Sequence, residues 1–76
     1  MRDLVLWLAR ELAENKEAVR VDAIERDRAT VFELTVDAAD LGRVIGRGGR
    51  TAKALRTVLD SAARVQGHRV VLDILD

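Results

Sequence analysis

The stretch Gly46-Arg47-Gly48-Gly49 lies between two segments of helical periodicity, and no other feature constrains the fold of this chain as strongly. Upstream, Leu41, Val44 and Ile45 have the spacing of a short helix. Downstream, Ala52, Leu55, Val58, Leu59 and Ala62 line one face of a longer helix, with Arg50, Lys53, Thr57, Asp60 and Arg64 away from it. Gly46, Gly48 and Gly49 accept positive φ without steric cost and have no Cβ to hold a ligand away, so the joint can turn sharply and lie open. The window 41–56 holds Arg43, Arg47, Arg50, Lys53 and Arg56 and no acid, although the chain as a whole has 13 basic and 13 acidic side chains. A neutral protein with its positive charge gathered at one glycine loop is suited to hold a phosphate backbone there.

The rest of the chain supplies a small α+β framework. Met1, Leu4, Val5, Leu8 and Leu12 share one face of a first helix that stops near Asn15. Val19–Ala23 alternates as a strand, and Phe32, Leu34 and Val36 alternate as a second. The polar run Glu25-Arg26-Asp27-Arg28 is the expected hairpin turn. Asp37 is placed to cap the short helix, and Asp40 to favour its positive end. Gly67 closes the long helix, and Val70, Leu72 and Ile74 alternate in a last strand. The order is helix, strand, strand, helix, glycine loop, helix, strand. It predicts one three-stranded mixed sheet with the helices on one face.

At 76 residues the chain is read as a single domain, 1–76, whose few apolar residues are nearly all needed for its core. That size favours a binding surface over a catalytic cavity. No cysteine is present, which excludes disulfides and thiolate metal sites. Met1–Leu12 is interrupted by Asp3, Arg10 and Glu11, so it reads as neither a signal peptide nor a membrane span, and the protein is expected in the cytoplasm. Acids are dispersed, and no nucleophile–base pair, metal cluster or cofactor motif is apparent, so an enzyme is not expected.

The context of the loop decides among glycine-rich phosphate binders. Gly46-x-Gly48-x-x ends in Thr51 rather than glycine and follows a helix rather than a strand, which is not the dinucleotide fingerprint. Gly42-x-x-x-Gly46 lacks the Gly-Lys-Ser/Thr ending of a nucleoside-triphosphate loop. Helix, Ile-Gly-x-x-Gly, helix, strand instead resembles the KH domain, whose loop clamps about four nucleotides of single-stranded nucleic acid. The matching residues are Val44-Ile45-Gly46-Arg47-Gly48-Gly49, with Leu55 as the downstream apolar anchor. The preceding helix and hairpin resemble the type II arrangement. The opening Leu4-Val5-Leu6-Trp7-Leu8-Ala9 and the run from Leu41 to Ala52 are similar to the KhpA family of small bacterial single-KH-domain RNA-binding proteins.

That resemblance implies single-stranded RNA binding and a role as RNA chaperone or post-transcriptional regulator. Gly46, Arg47, Gly48 and Gly49 would form the backbone clamp, Arg50 and Lys53 would supply charge, and Ile45 would shape an apolar groove. The stretch Val70–Leu72 would help form its other wall. The resemblance also implies a homodimer, or a heterodimer with a larger KH-containing bacterial protein, and no membrane. The alternative is a KH-fold dimerisation module in which nucleic-acid binding is secondary. Simpler readings stand beside several of these residues. Lys53 and Arg56 could simply be a solvated helix face, and Arg43 and Arg56 could do no more than shape the field. Thr51 is expected to cap the long helix, with a phosphate contact as its alternative, and His68 to be solvent-exposed. Phe32 reads as core, while Trp7 is either core or a contact surface. With only these two aromatics, a base-stacking platform is not supported.

Overall fold

A computed structural model describes all 76 residues. Helix α1 spans Arg2–Leu12. Strands β1 (Arg20–Arg26) and β2 (Ala29–Thr35) follow, then helix α2 (Leu41–Ile45), helix α3 (Arg50–Val65) and strand β3 (Arg69–Ile74). Short 3-10 turns occupy Lys16–Ala18, Ala38–Asp40 and Arg47–Gly49. The sheet has the order β1-β2-β3, with β1 antiparallel and β3 parallel to the central β2. A parallel neighbour requires a crossover, and α2, the loop and α3 provide it. This is the α+β, type II KH arrangement expected from the sequence.

Period-two alternation sets the core. Thr30, Phe32 and Leu34 of β2 are buried, Val21 of β1 and Val70 and Leu72 of β3 lie in register beside them, and the helices cover this face. Val5 and Ala9 of α1, Ala13, and Leu55, Leu59 and Ala63 of α3 complete the cluster. Leu34 and Leu59 are almost wholly enclosed, and each such burial contributes about 2 kcal/mol.

The helix faces are rotated slightly from those the apolar spacing predicts. In α1 the innermost line is Val5, Ala9 and Ala13, flanked by the half-buried Leu4, Leu8 and Leu12. In α3, Ala63 is buried instead of Val58, which is 46% exposed. Methyl side chains at the closest approach let the helices sit near the sheet, and the longer side chains fill the margins.

The hairpin is also tighter than expected. Glu25 and Arg26 belong to β1, Arg26 pairs with Ala29, and only Asp27 and Arg28 form the turn. Asp27 takes φ 37°, a conformation that a short polar side chain tolerates. Near this end the Thr30 hydroxyl donates to Glu25 at 2.9 Å and meets His68 Nε2 at 2.7 Å. His68 is exposed as predicted but ties the hairpin to the start of β3. Gly67 ends α3 at φ 67°, with Gly67 N–H donating to Arg64 O and His68 N–H to Ala63 O. That is the paired Schellman closure.

Candidate nucleic-acid interface

The glycine loop depends on a scaffold that begins two turns earlier. The Asp37 carboxylate accepts from Ala39 N–H at 2.9 Å and so caps the 3-10 turn Ala38–Asp40 that leads into α2, rather than α2 itself. Asp40 behaves differently from the prediction. Its carboxylate is buried, makes no cap bond to α2, and accepts from the backbone N–H groups of Glu14 at 3.1 Å and Asn15 at 2.9 Å. It thereby fastens the end of α1 to the start of α2. Arg43 joins this cluster, bonding to Glu14 and lying 3.5 Å from Asp40.

Val44 is fully buried and anchors α2, while Ile45 on the next position is 36% exposed at the mouth of the loop. Gly46 then takes φ 78° and ψ 168°, a region open essentially to glycine alone. It also faces Thr51, whose Cβ and backbone nitrogen come within 2.8 Å of where a Cβ at Gly46 would stand. Gly48 (φ 64°, ψ 18°) and Gly49 (φ 79°, ψ 12°) are left-handed too, but nothing lies within 4 Å of a Cβ built on either. Gly49 occupies the cap position of α3, which has no side-chain cap, so Thr51 does not cap the helix as expected and packs against Gly46 instead. The first amides of α3 are therefore left without a side-chain acceptor.

Charge separates the five basic residues into two groups. Arg43 is committed to Glu14 and Asp40, and Arg56 Nε donates to Leu72 O at 3.3 Å on the edge of β3. Arg47, Arg50 and Lys53 have exposed side chains and no acidic partner within the chain. Arg47 lies in the loop itself, Arg50 opens α3, and Lys53 follows three residues on in the same helix. Ile45, Arg47, Gly48, Arg50 and Lys53 are exposed, and Gly46 and Gly49 are half-buried, along the stretch from the end of α2 to the second turn of α3. On the opposite wall Val70 and Leu72 point into the core, and the Leu72 carbonyl is taken by Arg56.

Gly42 adjoins the loop but is not among the residues that the sequence assigns to the clamp. It lies in α2, its carbonyl accepts from Gly46 N–H at 2.8 Å, and a Cβ there would meet nothing within 4 Å. Helix-interior glycine costs about 0.5–1 kcal/mol against alanine, and nothing inside the chain requires it. The signal was present in the spacing: Gly42, Ile45 and Gly46 share one exposed face of α2.

Away from the loop, Trp7 is 60% exposed and borders a shallow groove of about 330 Å³ with Leu12, Ala54, Leu55 and Val58. Trp7 is therefore surface and not core, whereas Phe32 is core as predicted, 3% exposed. No helix is long and apolar enough to cross a membrane.

Comparison with known proteins agrees with this fold. Residues 2–74 match the family model described as KhpA/KhpB, KH domain. The chain is similar to proteins named RNA-binding protein KhpA. That from Aquifex aeolicus is 51% identical over 76 residues, covering all of this chain and 96% of the relative. The Halalkalibacterium halodurans protein is 45% identical over the full length of both. The Borreliella burgdorferi protein is 38% identical over 97% of this chain and 90% of its own.

Proposed function

This chain belongs to the KhpA/KhpB KH-domain family, and we propose that it is a bacterial RNA-binding protein whose basic glycine loop clamps the backbone of single-stranded RNA. One observation carries the reading: three cations without acidic partners, Arg47, Arg50 and Lys53, surround a loop whose Gly48 and Gly49 present open backbone. A phosphodiester can approach there to van der Waals distance, accept from loop and α3 amides, and be neutralised by the guanidiniums. Ile45 offers an apolar surface for a base beside the clamp, and the glycine at 42 keeps the adjoining face of α2 low. The backbone contact carries no sequence information, so a chaperone or post-transcriptional regulator acting on many RNAs in the cytoplasm fits the site.

No catalysis is proposed. The one hydroxyl beside a histidine, that of Thr30, is buried and donates its proton to Glu25. It is therefore neither free nor accessible as a nucleophile.

Salt dependence tests the clamp. With two or three phosphates neutralised on a single strand, log affinity should fall against log salt with a slope of roughly −1.4 to −2.1. A slope near zero would mean that binding does not use the loop cations.

A second reading has its own observation in the exposed Trp7–Val58 groove, an apolar patch that a homodimer or a heterodimer with a larger KH-containing protein could cover. Pairing two KH grooves would raise the effective affinity of each. Crosslinking in lysate separates the readings. Recovery of RNA through the loop supports the first, and recovery of one protein with little RNA supports the second.

A further inference from the structure

The end of α3 away from the glycine loop carries a second concentration of positive charge. Strand register sets Arg26, Ala29 and Arg69 abreast across β1, β2 and β3, and Arg28 stands beside them in the hairpin turn. All three arginines are exposed, and none forms a salt bridge, since the chain's ion pairs are Arg43 with Glu14 and Arg43 with Asp40. With Asp27 and Ala29 they line a shallow basin of about 560 Å³. Arg26 and Arg69 stand two strand spacings apart, roughly 10 Å, and the alanine between them leaves that space open. Two long guanidinium side chains can close over its methyl onto one anion. Asp27 is the only acid in the lining, so three guanidiniums face one carboxylate. Glu25 points to the opposite face and accepts from the Thr30 hydroxyl. The acids of the outer face, Asp22, Glu33 and Asp73, lie roughly 13 Å back along the strands, too far to neutralise the arginines.

Position ties this basin to the loop. Helix α3 separates the two by its 16 residues, a length of about 24 Å. Between α3 and β3 runs a groove lined by Arg56, Asp60, Arg69 and Leu72, and Arg69 lines the basin as well. A strand leaving the loop along this groove passes Arg56 and arrives at Arg69. Asp60, the one acid in the groove, has Arg56 and Arg64 one helical turn to either side of it.

We propose that Arg26, Arg28 and Arg69 form a second backbone site, which holds a phosphodiester of the same RNA strand after it leaves the loop. The inference rests on the RNA reading above. One phosphate contact adds little by itself, but a strand already clamped at the loop has a high effective concentration at the basin. The site reads no base. It extends the footprint of one molecule past the run of about four nucleotides that a KH loop holds.

Oligonucleotide length tests it. Two single-stranded RNAs with 5′-hydroxyl ends, one of about four nucleotides and one several times longer, are titrated by fluorescence anisotropy over a range of salt. The variant Arg26→Gln with Arg69→Gln should bind the long RNA about tenfold more weakly than wild type. Its salt slope for that RNA should become shallower by roughly 0.7–1.4, the share of one or two phosphates. Its affinity for the short RNA should be unchanged. A control pair, Arg10→Gln with Arg20→Gln, removes the same charge from exposed positions outside the basin and should alter neither affinity. If circular dichroism shows the first pair unfolded, Arg28→Gln with Arg69→Gln gives the same comparison. Three results from folded variants would overturn the basin and leave the loop clamp standing: wild-type affinity for the long RNA, an equal loss on both RNAs, or an equal loss in the control pair. A wild-type protein that binds neither RNA would overturn clamp and basin together.

Discussion

The backbone nitrogen and Cβ of Thr51 lie 2.8 Å from the point that a Cβ on Gly46 would occupy. The first turn of α3 is thus folded against the residue that follows α2, and the loop is closed by contact as well as by covalent connection. At φ 78° and ψ 168°, Gly46 is also in backbone space that other residues avoid. The two constraints coincide at one position and at no other glycine of the chain.

Gly46→Ala should therefore destabilise the fold by about 3 kcal/mol, combining backbone strain with overpacking against Thr51. Gly48→Ala meets only the left-handed backbone cost and should lose about 1 kcal/mol. Urea denaturation of the two variants checks the order, and equal losses would mean that the Thr51 contact does not matter.

Asp40 carries the junction between α1 and α2. Asp40→Ala leaves the N–H groups of Glu14 and Asn15 without their acceptor and removes a partner of Arg43. An unmade bond at a partly buried donor costs about 1–3 kcal/mol. The same denaturation measurement should show that loss, and Asp40→Asn should lose less because its amide oxygen keeps one of the two acceptances.

Asp37 sets a pH dependence. Its carboxylate is held below its usual 3.8 by the Ala39 N–H bond first and by the Asn15 side chain second, against a smaller opposing effect of burial. A folded-state value below the unfolded one gives stability that is present above about 3.8 and lost as pH falls through the folded value. Thermal melts between neutral pH and pH 2 should show this acid-side loss in the wild type, and Asp37→Asn should flatten it.

Gly42→Ala separates stability from binding. The backbone there is helical and open, so alanine should raise stability by roughly 0.5–1 kcal/mol. If RNA lies along this face of α2, the added methyl should weaken binding in the same variant. Melting temperature and a fluorescence-anisotropy titration read the two effects independently.

Much of the architecture was legible in the residues because its signals are local. The glycine cluster, the Asp37 cap, the Gly67 closure and the alternation of Phe32 and Leu34 each act within a few positions, and each lies where its chemistry requires. The departures come from contacts distant in sequence. Local sequence makes Asp40 a helix-end charge, because its partners, the Glu14 and Asn15 amides, are 25 or more residues away. Val58 has the periodicity of a core residue, yet the close approach of α3 to the sheet selects Ala63. The turn contracted to Asp27-Arg28 because strand pairing extends through Arg26 and Ala29, and turn chemistry without glycine does not report that. Within the loop, charge alone ranks Arg43 with Arg47. Only the fold reveals that Glu14, 29 residues away in sequence, joins the neighbouring Asp40 in pairing with Arg43.

The most direct test is the affinity of a double variant, Arg47→Asp with Gly48→Asp, for single-stranded RNA. Aspartate tolerates the left-handed backbone at Gly48, and nothing crowds a side chain there, so the variant should fold. Two carboxylates would then stand where phosphates are held. Loss of RNA binding in a variant with an unchanged circular dichroism spectrum is the expected result. Wild-type affinity in that folded variant would contradict the loop clamp.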